Sequence, residues 1–373
     1  MLQLKRVVLR EIQLPLVEPF TISSGTEYMR RIMLLEAEDK DGHIGWGECV
    51  AGVFPNYNAE AIDTAWLGLI DWILPLTVGE AFDGPEDIYP MLQARIRGNE
   101  MARASIEMAA WDVWAHRQNA SLSRLLGGTR DKVATGISVG IQDSPAVLVE
   151  KVGRYIEEGY RKIKVKIKPG YDLPYVSAVH EAYGDRVSIM VDANNAYTLA
   201  DMELLKKLDA FNLLMIEQPL AWDDVVQHAE VQRALNTPVC LDESITKVER
   251  AYDMVQLKSG NIINIKPGRV GGLASAVAIH DYAMANDIPV WCGGMLESGI
   301  GRAHNVALAS LPNFTLPGDI SPSRRYWAQD IVKPEWTMED GMLTVPKDKP
   351  GIGVEVDRDR IDDLTVREFV YPG

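Results

Sequence analysis

From about residue 130 to about residue 320, short β-branched runs alternate with longer helical segments, and no other feature of this 373-residue chain limits its fold so tightly. The runs are Val133–Val139, Lys162–Ile167, Val187–Asp192, Leu213–Glu217, Pro238–Asp242, Asn261–Lys266, Ile288–Cys292 and, more weakly, Phe314–Leu316. Helices between consecutive strands force the strands parallel. Eight such units in about 190 residues fit a closed (β/α) barrel better than an open doubly wound sheet. The helices carry their own punctuation: Asp143-Ser144-Pro145 supplies a cap and a first-turn proline, Gly159 a stop, and Thr198 with Asp201 another cap.

The flanks read differently. Residues 1–11 read as a strand, and Arg31–Glu38, the turn Asp41-Gly42 and Ile44–Cys49 as a hairpin. Met101, Ala104, Met108, Trp111 and Ala115 then mark the buried face of a helix, and Ser121 caps a short helix stopped by Gly127-Gly128. After about Ser321 the chain is again irregular and strand-like, with Trp327, Trp336 and Tyr371, as if rejoining the first domain. The chain therefore divides into residues 1–125, a barrel over 126–320, and a returning segment over 321–373.

Charge and composition exclude several functions. With 38 basic against 53 acidic residues, a net charge of −15, there is no basic stripe to neutralise nucleic-acid phosphates. Cys49, Cys240 and Cys292 stand singly, which argues against a disulfide scaffold or thiolate zinc site and for a reducing compartment. The N-terminal stretch breaks its apolar residues with charges, unlike a secretion signal, and no apolar run reaches the ~20 residues of a membrane span. A soluble, cytoplasmic protein without membrane contact is expected.

The chemistry lies at the strand ends. Asp192, Glu217 and Asp242 close three consecutive strands at a spacing of 25 residues, one βα unit, so they are expected side by side at the C-terminal rim where barrels place their sites. Three carboxylates forced together repel, and a hard divalent cation such as Mg²⁺ relieves this. In Lys162-Ile163-Lys164-Val165-Lys166-Ile167-Lys168 one face is entirely lysine. The Ile/Val face must meet the surrounding helices, so Lys164 and Lys166 point into the barrel mouth. Asn264 and Lys266 repeat the device. Lys266 follows Lys166 by 100 residues, four units of an eightfold barrel, so the two lysines are expected to face each other. Opposed lysines with a cation between them suit removal of a proton next to a carboxylate.

At these residues the chain resembles the enolase superfamily, muconate-lactonizing-enzyme subgroup, and within it the o-succinylbenzoate synthase / N-succinylamino acid (N-acylamino acid) racemase family. The resemblance spans nearly the whole chain. It is carried by Ile163–Ile167, Val191–Asn194, Ile216–Leu220, Cys240–Ser244, Asn264–Gly272 and Trp291–Glu297, with Leu316–Asp319 pointing to the narrower family. It implies a modified (β/α)7β TIM-type barrel, α/β in class, under an α+β capping domain built from the N-terminal region and the C-terminal tail. It implies Asp192, Glu217 and Asp242 as ligands of Mg²⁺ or another divalent cation such as Mn²⁺, Lys166 and Lys266 as acid/base pair, and Lys164 as electrostatic helper. Glu243 and Asn194 would support these groups. Asn194, Ser138, Phe20, Phe54, Met295 and Glu297 would meet the substrate, with Pro19–Thr26 and Ala51–Tyr57 as specificity loops. Glu297 either lines the acyl end of the pocket or caps a loop. The partner is a small-molecule carboxylate, and homo-oligomers are common in the superfamily.

The implied reaction is proton abstraction to a metal-stabilised enolate. Its outcome is dehydration of 2-succinyl-6-hydroxy-2,4-cyclohexadiene-1-carboxylate, racemisation of N-succinyl amino acids, or both. Muconate cycloisomerase and dipeptide epimerase are the alternatives within the subgroup. A barrel reduced to a binding module would have replaced a lysine or an acid, and none is replaced. Two weaker signals remain: Gly268–Gly272 reads as a turn into a helix more readily than as a phosphate loop, and Arg302 either begins a packed helix or reaches an anionic substrate.

Overall fold

In the computed structural model, which describes residues 1–22, 25–184 and 186–372, the βα rhythm becomes a curled parallel sheet. The long antiparallel strands β1 (Leu2–Ile22), β2 (Gly25–Asp39) and β3 (Ile44–Cys49) precede it. The barrel strands are β4 (Ile137–Val139), β5 (Lys162–Lys166), β6 (Ser188–Asp192), β7 (Ile216–Glu217), β8 (Val239–Leu241), β9 (Ile262–Ile265) and β10 (Val290–Cys292), and they lie side by side in chain order. Residues 313–319 close the ring without forming a ladder. Gly136 N donates to Gly318 O at 2.6 Å, Gly318 N to Ala134 O at 3.0 Å, and Asp319 N to Cys292 O at 2.9 Å. Pro317 has no N–H to give, so the expected strand Phe314–Leu316 survives as isolated bridges at Phe314 and Gly318.

The first expected run also changes. Val133–Val139 is two strands: Lys132–Ala134 pairs antiparallel with Met342–Thr344, and only Ile137–Val139 enters the barrel. Between them Gly136 passes so close to Lys162 that a β-carbon there would lie 2.6 Å from its Cε. The alternation within β5 comes out as its pattern requires. Ile163, Val165 and Ile167 join the large core shared with the helices, whereas Met190, Met215, Cys240, Ile262 and Trp291 fill the barrel interior. Lys162 stands in that interior, its Nζ 3.5 Å from the centre of the Trp291 ring. All three cysteines are free and buried.

The cap is a sheet with β1 and β2 paired antiparallel, β3 on one edge and β11 (Thr365–Pro372) on the other. Helix α1 (Glu100–Arg117) lies on β3 so closely that β-carbons at Gly45 and Gly47 would fall 2.2 Å from Val113 N and 2.1 Å from Ser105 O. The returning segment divides its loyalty. Tyr371 packs into the cap, while Trp327 and Trp336 belong to the barrel core and donate to Glu297 O and Gly299 O.

Two cap carboxylates stitch the domains together by capping barrel helices. Glu107 accepts from Leu273 N at 2.7 Å and Ala274 N at 2.8 Å, at the start of α3 (Leu273–Ala285), the helix α2 (Pro145–Glu157) having come earlier in the barrel. Glu48 accepts from Ser298 N and Gly301 N at 3.1 and 3.0 Å, at the start of α4 (Gly299–Ala309). The glycine turn before α3 thus receives a carboxylate of the chain itself, which disposes of the phosphate reading. Among the described residues no helix is long and apolar enough to cross a membrane.

Candidate active site

Parallel register brings the charged strand ends together. Lys166 pairs with Asp192 across β5 and β6, and Asp192 with Glu217 across β6 and β7, so neighbouring side chains are about 5 Å apart at the backbone. Lys166 Nζ lies 2.5 Å from Asp192 Oδ2 and 2.7 Å from Asn194 Oδ1. Lys164 Nζ reaches Glu217 at 3.2 Å, Asp192 at 3.4 Å and Asp319 at 2.5 Å. From the other side Lys266 Nζ meets Asp242 Oδ2 at 2.8 Å and the Tyr57 hydroxyl at 3.0 Å. Arg269 also bonds Asp242. Asn194 donates to Glu243 at 3.0 Å, and Asn264 to Glu217 at 2.6 Å.

The two faces differ electrostatically. Burial pushes the Lys166 ammonium below its ordinary value, and neighbouring Lys164 adds to this, against the pull of Asp192. Burial acts on Lys266 too, but Tyr57, Glu217 and Glu243 outweigh it and the net shift is upward. Asp192 is buried, yet Lys166 and Lys164 hold it below the usual carboxylate range. Burial and nearby Asp192 raise Glu217, and the same two causes bring Glu243 to about 7.

Among the described residues, no three His, Cys, Asp or Glu side chains are gathered into a finished metal cage. Each of the three acids is turned onto a cation instead. The donor chemistry fits a hard divalent ion: three buried carboxylates on consecutive strands, two of which already converge on one positive charge, Lys164 Nζ. The resemblance to the enolase superfamily implies such an ion, and Asp192, Glu217 and Asp242 are the residues here that would hold it.

Above the lysines lies a cavity of about 500 Å³, lined by Lys166, Asn194 and Lys266 below and by cap residues above. Phe20 and Phe54 are among its walls, as is Met295. Ser23 and Ser24, within the expected Pro19–Thr26 loop, lie outside the described residues. Ser138 pairs in parallel register with Lys164 and so shares its inward face, beside the cavity-lining residues rather than among them. Of the two readings of Glu297, its hydrogen bonds are those of the loop cap: one carboxylate oxygen accepts from Met295 N at 2.9 Å and the other from Asn305 Nδ2 at 2.8 Å. Arg302 is likewise buried, donating to Glu297 O and Ser321 O, so it does not reach a substrate.

Three contributors were not singled out in the sequence: Asp319, Arg269 and Tyr57, the last expected only as the end of the Ala51–Tyr57 loop. Asp319 ends the closing segment and pairs with Lys164 and Lys162, and those lysines hold its carboxyl down at about 2 against burial. Tyr57 and Arg269 both reach Asp242. Asp319 was visible as an acid closing a βα unit, but the proline-broken run before it hid the strand. Tyr57 belongs to the cap, and no spacing rule links a cap loop to a strand end.

Comparison with known proteins agrees with this geometry. Residues 5–127 match the mandelate racemase / muconate lactonizing enzyme N-terminal domain, and residues 147–360 the enolase C-terminal domain-like family. The chain is 48% identical to an o-succinylbenzoate synthase of Geobacillus stearothermophilus, over 98% of this chain and 96% of that protein. It is 46% identical to an N-succinylamino acid racemase of an Amycolatopsis species, over 98% of each. The crystal structure of an enolase-superfamily member from Listeria innocua superimposes with a TM-score of 0.96 at 39% identity, covering all of both chains.

Proposed function

Since this chain belongs to the mandelate racemase / muconate lactonizing enzyme family of the enolase superfamily, we propose that it removes the proton next to a carboxylate in a small molecule. The substrates we assign are those of its namesake relatives: the o-succinylbenzoate synthase precursor, N-succinyl amino acids, or both. One observation carries the reading. Lys166 and Lys266 line the same cavity, and each is hydrogen-bonded to a different member of the carboxylate set.

A bound Mg²⁺ would neutralise the substrate carboxylate and so acidify the neighbouring C–H. The residues do the rest. Lys166, as the free amine, takes the α-proton from one face of the carbon, and Lys164 faces the charge that this leaves on the substrate. For racemisation the Lys266 ammonium returns a proton to the opposite face. For dehydration Lys166 passes the proton it has taken to the departing hydroxide, which leaves as water, while Lys266 stays protonated beside the developing charge. Both outcomes start from the same proton transfer, so one site serves either.

The test is α-proton exchange. With Mg²⁺ and an N-succinyl amino acid in D₂O, deuterium is expected at the α-carbon and both enantiomers should accumulate. Absence of exchange with Mg²⁺ present, together with no o-succinylbenzoate formation, sinks the proposal.

A further inference from the structure

Arg30 leaves β2 where the hairpin passes over the cavity, and only 4% of its side chain is exposed. Its Nη2 donates to Val50 O at 3.0 Å and to Met295 O at 3.2 Å, and its Nη1 pairs with Glu27 at 3.1 Å. All three partners line the cavity, and each stands for a different part of its wall. Glu27 belongs to the β1–β2 hairpin, Val50 begins the loop that carries Phe54, and Met295 sits in the loop after β10. A guanidinium suits this task because its fixed fork of donors spans several acceptors at once, which an ammonium on a flexible stem does not do.

The far side of the hairpin is tied separately, where Ile141 N donates to Thr21 O at 3.1 Å, in the loop after β4. The loop after β10 has its own anchor in Glu48, which bonds the Ser298 hydroxyl at 2.6 Å. Arg30 therefore links a hairpin to a loop that is already fixed. We propose that Arg30 is a positioning residue that holds the three wall segments together over the substrate. The inference rests on the reading of this cavity as the substrate site.

The expected signature follows from populations. If the wall opens and closes, apparent affinity is the intrinsic affinity scaled by the closed fraction, and loss of the Arg30 ties lowers that fraction. The lysines sit on barrel strands and none of them is an Arg30 partner, so the bound, closed complex reacts as before. KM rises while kcat holds, which is the mark of lost uniform binding. A merely structural role would instead reduce the amount of active protein, lowering kcat at unchanged KM.

The experiment measures α-proton exchange of an N-succinyl amino acid in D₂O with Mg²⁺ for the native chain, Arg30→Met, Arg30→Lys and Glu27→Gln. Arg30→Met is expected to raise KM about tenfold with kcat within about twofold, and Arg30→Lys to fall between it and the native chain. Glu27 is partly exposed, so Glu27→Gln keeps the test alive if the buried arginine cannot be replaced without unfolding; about a two- to threefold rise in KM is expected there. A fall in kcat at constant KM, or an unchanged KM in every folded variant, overturns the inference. If the native chain itself shows no exchange, the function reading fails instead. Backbone amide exchange over residues 25–30 then decides the tie, with faster exchange expected in a folded variant and unchanged protection counting against it.

Discussion

The floor of the cavity is built from side chains at the ends of parallel strands, where Lys164, Lys166 and Lys266 are each bonded to a buried acid. Its wall is built from a hairpin and two loops, with apolar groups such as Phe20, Phe54 and Met295 joined through a few ties. Barrel register fixes the floor to within a hydrogen-bond length, because each strand is set by two neighbours. In the wall the ladder joins only the two strands of the hairpin, and the hairpin is tied to the loops by single side chains such as Arg30. The floor is therefore suited to common chemistry, and the wall to deciding which molecule receives it.

Changes to the floor should be the most damaging. Lys166→Ala is expected to cost about 10³-fold in exchange from one enantiomer while proton exchange from the other persists, since the two bases address opposite faces. Equal loss for both enantiomers would show that the two sides are not separate bases, and following each enantiomer by NMR in D₂O distinguishes these results.

Asp319→Asn tests whether the floor reaches down into the barrel. It leaves Lys162 and Lys164 without a shared counter-charge, so a loss of about 3 kcal/mol in stability is expected by denaturant titration. The rate should also fall, by about tenfold in kcat. A stable variant with native kcat would confine the floor to the three acids on β6, β7 and the end of β8.

The seam between floor and wall is pH-sensitive. Glu48 and Glu107 at the seam, and Glu60, which caps α1 within the cap, are pushed up to about 7 by burial, from an ordinary value of 4.5. Each then binds its proton more tightly in the folded chain than in the unfolded one. The stability this confers is complete below pH 4.5 and is lost as pH rises through 7. Thermal unfolding should therefore show stability falling between pH 4.5 and pH 7 and levelling off above, by on the order of 1 kcal/mol per pH unit for each carboxyl. Glu107→Gln, which has no proton to lose, should flatten that slope; an unchanged slope would exclude Glu107 as a source.

The smallest effect is expected on the wall. Phe54 is 70% exposed, so Phe54→Ala should leave stability within about 0.5 kcal/mol. It should alter the ranking of N-acyl amino acids by only a few-fold in kcat/KM. An equal change for every substrate would take Phe54 off the list of selective groups.

The floor was legible in the sequence and the wall largely was not. Asp192, Glu217 and Asp242 could be placed together because a βα unit has a near-constant length, and Lys164 and Lys166 because a strand alternates. Glu297 could not be assigned, since a carboxylate that caps Met295 N and one that meets a ligand look alike as letters. Arg30 gave little signal, because two of its three partners are backbone carbonyls, of Val50 and Met295, and a carbonyl leaves no trace in residue identity. The barrel's closing segment was half-read for a similar reason, as Pro317 removes the pattern by which a strand is known.

The strand β11 pairs along β1, with Arg6 opposite Pro372 and Leu9 opposite Phe369. During synthesis the barrel strands and their lysines leave the ribosome before residues 365–372 exist. The nascent chain thus carries both the hairpin and the strand-end lysines for a time while the sheet that bears the hairpin still lacks an edge. The hairpin and the Phe54 loop are made before the lysines beneath them, and the edge strand that completes their sheet is made after both.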